Sequence, residues 1–115
     1  MRAREVTAEE LRRQLDALGA GYRRRLPAKM VELDRLWRDL TGGVVAPAAL
    51  TDLRRELHTL AGSAKTFGVA HVSDLAAAAE GLLEPFCNEG RLPDAAGTAE
   101  LTRLLDALQR SAEDA

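Results

Sequence analysis

The stretch HTLAGSAKTFG, residues 58–68, carries the side chains with the clearest capacity for chemistry. His58 opens it, Gly62 follows four residues later, and Lys65 follows seven residues after the histidine. A neutral imidazole is a competent nucleophile, and a lysine ammonium offsets the charge of an anion held near it, such as a phosphoryl group. Whether these residues can act together depends on the helix face that each occupies.

The apolar spacing around His58 places this residue on the outside of a helix. One stripe is formed by residues that recur every three or four positions: Leu53, Leu57, Leu60, Ala64 and Phe67. Such a stripe is the core-facing side of an amphipathic helix. At the helical rotation per residue, His58 projects roughly 140° from the centre of the stripe. We therefore expect His58 to be exposed.

Gly62 and Lys65 lie on the same outer side as the histidine. A glycine within a helix is less favourable than alanine by roughly 1 kcal/mol. Gly62 is therefore either a tolerated chance residue or a place where another molecule approaches closely. Lys65 is either a solvated lysine or a cation that reaches back toward the imidazole, since it lies about 20° away around the helix axis.

Other kinds of site lack the residues they need. The chain has no GxSxG nucleophile turn, no GxxxxGK[ST] loop and no GxGxxG turn. His71, the only other histidine, lies thirteen residues from His58, and Cys87 is the only cysteine. A metal site, an internal disulfide and a nucleotide site are therefore not expected. We expect no cofactor, and a histidine that accepts and passes on a small group while its partners supply the catalytic machinery.

Composition and charge limit the class of protein further. With 115 residues the chain is expected to form one domain, residues 1–115. A net charge of −2 gives no basic field for nucleic acid, so the Arg23–Arg25 run is predicted to be a solvated helix face. No apolar run is long enough to span a membrane. The start, MRAREVTAEE, lacks a secretion signal, and we expect a cytoplasmic protein.

Helical periodicity and turn residues divide the chain into helices. We predict that they run from Thr7 to Leu18, from Pro27 (as a new start or a kink) to Gly42, from Pro47 or Thr51 to Phe67, from His71 to Phe86, and from Pro93-Asp94 onward. Short connections favour antiparallel neighbours. The predicted fold is therefore all-α, an antiparallel four-helix bundle with an additional N-terminal helix.

The stretch that begins at His58 resembles the signature of histidine-containing phosphotransfer (HPt) domains, usually H-x-L-K-G-S/A-A-x-x-x-G. It is also similar to the phosphotransfer domain of bacterial chemotaxis kinases, in which a related run ends in T-F-G as it does here. The resemblance is strongest over residues 51–84 and extends loosely to the whole chain. It implies a helical bundle that exchanges a phosphoryl group with the aspartate of a receiver domain. It also implies that any magnesium belongs to the receiver.

The resemblance assigns roles to individual residues. His58 would be the phosphoacceptor, and Gly62 would leave clearance for the receiver. Glu80, twenty-two residues after the histidine, matches the glutamate that binds the other ring nitrogen and orients the imidazole. The helical spacing supports this role. Glu80 lies on a flank of its helix, from which it can reach the neighbouring helix, about 120° from the centre of the apolar stripe formed by Val72, Leu75, Ala79, Leu82 and Phe86. A solvated glutamate is the alternative.

One position departs from the family pattern. The family usually has lysine three residues after the histidine, where this chain has Ala61. Lys65 is predicted to supply the missing electrostatics for the phosphoryl group. Arg54, Ala61, Gly62 and Lys65 are predicted to contact the receiver.

We therefore predict a monomeric phosphocarrier in a two-component relay that is not an enzyme. Its partners would be the receiver domain of a response regulator and a histidine kinase, which can be a hybrid kinase, with neither nucleic acid nor membrane. The competing hypothesis is a non-catalytic helical adaptor that binds a receiver or kinase through the same face without phosphorylation. A nucleic-acid-binding bundle is a third possibility that the charge balance does not favour.

Overall fold

The protein is all-helical in a computed structural model that describes residues 6–43 and 48–115. Over those ranges it forms four helices: α1 (Ala8–Thr41), α2 (Ala49–Thr66), α3 (Ala70–Glu89) and α4 (Ala95–Glu113). No strand occurs among the described residues, so the predicted all-α class is confirmed. The predicted start of α2 at Pro47 lies outside the described residues. None of these four helices is both long and apolar enough to cross a membrane.

The first helix is one continuous element where the sequence predicts two. It begins as expected, with the Thr7 side chain accepting a hydrogen bond from the Glu10 backbone N–H at 3.0 Å. It then continues past Gly19 and Gly21 and through Pro27. A proline removes only one hydrogen bond of a long helix, and buried residues flank it. The predicted additional N-terminal helix is therefore the first part of α1.

The N-terminal part of α1 extends beyond the other helices. At the helical rise, α1 is about 51 Å long and the others are about 27–30 Å long. Burial in α1 begins only at Gly19. Leu11, Leu15 and Leu18, which share one side of this part of α1, are therefore exposed by 50–56%.

The core lies where all four helices overlap. Helix α1 packs against α2 and α4, and α3 packs against the same two helices, which closes a four-helix bundle. The predicted stripe of α2 is confirmed, since Leu53, Leu57, Leu60 and Ala64 are at most 3% exposed and Phe67 is partly buried. On α3, Ala76 and Leu83 are buried, whereas the predicted Leu75 and Leu82 are only partly buried. Because α3 packs against both α2 and α4, its buried face is wider and displaced from the predicted stripe.

The turns set the helix ends close to the predicted positions. Gly68 has φ +76°, which only glycine adopts without strain, and it separates α2 from α3. Helix α3 includes Pro85 and continues about one turn beyond its predicted end at Phe86. It stops at Gly90, which has φ +65°. Asp94 caps α4 by accepting from the Gly97 backbone N–H at 2.7 Å, as the Pro93-Asp94 pair predicts.

Candidate functional site

His58 lies on the outer face of α2, close to the middle of the helix. Its side chain is 75% exposed, while its neighbour Leu57 is completely buried. The buried stripe fixes the rotation of α2 about its axis, and this rotation points the imidazole at solvent. The predicted exposure of His58 is confirmed.

Glu80 of α3 holds one nitrogen of the imidazole. The His58 Nδ1 and Glu80 Oε1 atoms lie 2.8 Å apart, which is hydrogen-bond distance. A carboxylate can only accept, so Nδ1 carries a hydrogen and donates it. In a neutral imidazole the lone pair is then on Nε2. The pair therefore favours the tautomer whose Nε2 can act as a nucleophile.

A buried hydrogen bond sets the register between the two helices that carry this pair. The Ser73 hydroxyl of α3 donates to the Ala61 carbonyl oxygen of α2 at 2.7 Å. Ser73 lies two turns before Glu80, and Ala61 lies about one turn after His58. Small buried residues on α3, Ala76 and Ala79, allow the two helices to pack closely.

Arg54 belongs to the same cluster of side chains. Its Nη1 atom lies 4.0 Å from Glu80 Oε1, the oxygen that also accepts from His58. The Arg54 Nε atom is buried and has no hydrogen-bond partner among the described residues. The sequence predicted Arg54 as a partner contact only, whereas the structure directs its guanidinium toward Glu80.

The small residues after His58 leave the surface beside it open. Gly62 is exposed, and a Cβ added there would meet no atom of the described residues within 4 Å. Ala61 is partly buried and is held by its carbonyl contact with Ser73. The surface next to the imidazole is therefore low.

Lys65 is separate from the His58–Glu80 pair in this structure. It is exposed, and its side chain forms no hydrogen bond or ion pair with the described residues. Its predicted action on a phosphoryl group would require its side chain to move toward the histidine.

Contacts between α1 and α2 hold the other edge of the exposed face. The Tyr22 hydroxyl lies 2.8 Å from the Ser63 hydroxyl oxygen, and the Tyr22 ring stacks on Phe67 with ring centroids 4.9 Å apart.

Lys29 donates to Glu56 at 2.8 Å, and this hydrogen bond, with the carboxylate charges of Glu56 and Glu32, raises the pKa of Lys29. These contacts fix α2 from the side opposite to Glu80.

The described residues contain no group of three His, Cys, Asp or Glu side chains arranged to hold a metal ion. His71 is exposed on α3, and Cys87 is partly buried with a free thiol. Neither residue has a hydrogen bond or ion pair with His58 or Glu80 in the part of the chain that the structure describes.

Sequence reasoning missed three contacts that shape the site: Arg54 with Glu80, Ser73 with Ala61, and Tyr22 with Ser63. For Arg54 a signal was present, because it lies one turn before His58 on the same face of α2. The contact of Ser73 with Ala61 joins a hydroxyl to a backbone carbonyl, and that of Tyr22 with Ser63 joins two hydroxyls. In both, the partners lie far apart in sequence, and no local pattern marks them.

Comparison with protein families agrees with this geometry. The family model of the Hpt domain matches residues 2–112, nearly the whole chain. The chain belongs to the Hpt domain family. Hpt domains are phosphocarriers of phosphorelays that interact with receiver domains and kinases and have no nucleotide site of their own. No curated protein and no solved structure matches the chain significantly.

Proposed function

We propose that this protein carries a phosphoryl group on Nε2 of His58 and exchanges it with the aspartate of a receiver domain. The hydrogen bond between His58 Nδ1 and Glu80 carries this proposal. It directs the lone pair of the neutral ring to Nε2, and the 75% exposure of the side chain makes the ring accessible to a partner.

The transfer step needs only what the two proteins supply. The Nε2 lone pair attacks the phosphorus atom of the aspartyl phosphate and a nitrogen–phosphorus bond forms. The bond from phosphorus to the aspartate oxygen breaks, and the aspartate leaves as a carboxylate. The ring retains its Nδ1 hydrogen and gains positive charge, which the Glu80 carboxylate stabilises. Transfer to a receiver is the reverse of these events.

The receiver would dock on the face of α2 around the histidine, against Arg54, Ala61, Gly62 and Lys65. Gly62 supports this because nothing in the described structure occupies the space above it. Lys65 would supply a mobile cation near the phosphoryl group, since no hydrogen bond or ion pair with the described residues holds its ammonium.

We further propose that residues 1–115 act as a single monomeric domain in the cytoplasm, where a histidine kinase and a response regulator are its partners. An antiparallel bundle suits this role. Two contacts support the antiparallel arrangement of α2 and α3. The earlier residue of α3, Ser73, contacts the later residue of α2, Ala61, and the later residue of α3, Glu80, contacts the earlier residue of α2, His58.

An adaptor that binds a receiver without phosphorylation is the second candidate. The observation that favours it is Ala61, which stands where the family usually has lysine. An adaptor would retain receiver binding after His58→Gln, and neither the wild type nor the variant would carry phosphate.

The test is phosphotransfer from a panel of phosphorylated receiver domains. A carrier acquires label that is labile in acid and stable in base, and His58→Gln abolishes this label. His71→Gln, the same substitution at the other exposed histidine, is the matched control and should leave the labelling unchanged. Label that persists in His58→Gln would refute the assignment of His58.

A further inference from the structure

Arg54 has a side-chain position that docking alone does not explain. Its side chain is 34% exposed, so about two thirds of it is covered. Its Nε atom is buried without a hydrogen-bond partner in the part of the chain that the structure describes, which is unfavourable for a guanidinium. The attraction of Glu80, whose Oε1 lies 4.0 Å from Arg54 Nη1, offsets this burial.

Helix geometry brings Arg54 to the side of the histidine on which the ring lies. Side chains of a helix lean toward its N-terminus. The ring of His58 therefore leans over the turn that carries Arg54, four residues earlier. Glu80 reaches this turn from α3 and presents one oxygen, Oε1, to both residues.

We infer that Arg54 is a positioning residue, which holds the Glu80 carboxylate in the place where it binds Nδ1 of His58. This inference rests on the proposed role of His58 and goes beyond it by adding a residue that acts through Glu80.

Arg54 favours the ring with its hydrogen on Nδ1. The guanidinium restrains the carboxylate, and a carboxylate free to turn into solvent would allow the hydrogen to move to Nε2. That move removes the lone pair from Nε2. Loss of Arg54 should therefore lower the population of the nucleophilic form.

The experiment compares Arg54→Gln, Arg54→Lys and Arg55→Gln with the wild type. Arg55 is the matched control because it is the adjacent arginine, is exposed, and its side chain forms no hydrogen bond or ion pair among the described residues. The first readout is the ¹⁵N chemical shifts of the His58 ring, which report the hydrogen on each nitrogen. The second is the initial rate of phosphorylation by phosphoramidate, a small donor that needs no docking surface.

We expect Arg54→Gln to reduce the population of the neutral form with Nδ1–H and to slow phosphorylation about threefold, the effect of a partly exposed ion pair. Arg54→Lys should restore most of both, and Arg55→Gln should change neither. The inference is wrong if the ring shifts of Arg54→Gln match the wild type. If Arg54→Gln then slowed transfer from a receiver but not phosphorylation by phosphoramidate, Arg54 would be a docking residue.

The ring shifts also separate this inference from the proposed function, because they are measured on the unphosphorylated protein. A wild type that no donor phosphorylates would refute the proposed carrier role. In that case a change of tautomer in Arg54→Gln would still support the positioning of Glu80 by Arg54.

Discussion

Replacement of Glu80 by alanine should slow phosphorylation of His58 while leaving the bundle folded. The carboxylate lies 2.8 Å from Nδ1 and, in the proposed transfer, would stabilise the positive charge that the ring gains. A hydrogen bond to a charged group is worth about 1.5–3 kcal/mol. Because Glu80 is 21% exposed and His58 is 75% exposed, solvent reduces this to about 1–2 kcal/mol. The expected loss is about 5- to 30-fold in rate.

The assay is single-turnover phosphorylation at saturating donor, with the unfolding free energy measured in urea on the same samples. Glu80→Gln should lie between the wild type and Glu80→Ala, since an amide oxygen can accept from Nδ1–H but carries no charge. The unfolding free energy should change by less than about 1 kcal/mol in both variants, because a partly exposed ion pair contributes little to stability.

Glu84→Ala is the matched control for this experiment. Glu84 lies one turn further along α3 and is exposed, and its side chain forms no hydrogen bond or ion pair in the part of the chain that the structure describes. If Glu80→Ala were phosphorylated as fast as Glu84→Ala, Glu80 would have no part in the transfer.

Three further predictions concern docking and stability. Gly62→Gln should weaken receiver binding, measured by calorimetry, at least about tenfold. It should leave the unfolding free energy unchanged or raise it by up to about 1 kcal/mol, because glutamine is a better helix former than glycine. Normal binding would refute the clearance proposed at this position. Leu57→Ala should lower the unfolding free energy by about 2–5 kcal/mol, whereas Leu15→Ala in the exposed part of α1 should change it by less than about 0.5 kcal/mol; equal losses in urea unfolding would contradict the described burial. The hydrogen bond to Glu56 raises the pKa of Lys29 above its ordinary value of 10.5. The Lys29–Glu56 pair contributes about 0.5 kcal/mol to the unfolding free energy at this exposure. This contribution is fully present below pH 10.5 and is lost as the pH rises through the pKa of Lys29 in the folded protein. Lys29→Met should remove this contribution, and a stability difference from wild type that does not shrink at high pH would exclude it.

The sequence was sufficient to predict the helical class and the orientation of α2. The spacing of Leu53, Leu57 and Leu60 determines which side of α2 is buried, and His58 follows from it because helix rotation is fixed per residue. The Thr7 and Asp94 caps were also predictable, because their hydrogen bonds involve only residues three positions away.

The continuity of α1 was not predictable from local signals. Glycine and proline are the usual markers of a helix end, yet Gly19 and Pro27 lie inside α1. Contacts distant in sequence, such as Tyr22 with Ser63 and Phe67, hold this part of the helix in place. The spacing of Leu11 and Leu15 marks an apolar face but does not reveal how far the neighbouring helices extend, and both residues are exposed.

The candidate site was predictable in its residues and only partly in its geometry. Helix rotation placed Glu80 on a flank of α3, and the resemblance supplied its partner. The position of Arg54 depends on how α2 and α3 pack, which no single-helix pattern contains. Lys65 was expected to reach His58 from its angle on the helix, but the angle does not determine the direction of a flexible side chain.

The most direct test of the carrier role is transfer of phosphate from a labelled receiver domain to wild-type protein and to His58→Gln in parallel. The account predicts acid-labile, base-stable label on the wild type and none on the variant, with the ¹⁵N shifts of phosphorylated His58 showing phosphorus on Nε2 and hydrogen on Nδ1. Label on Nδ1, or equal label on both proteins, would contradict it.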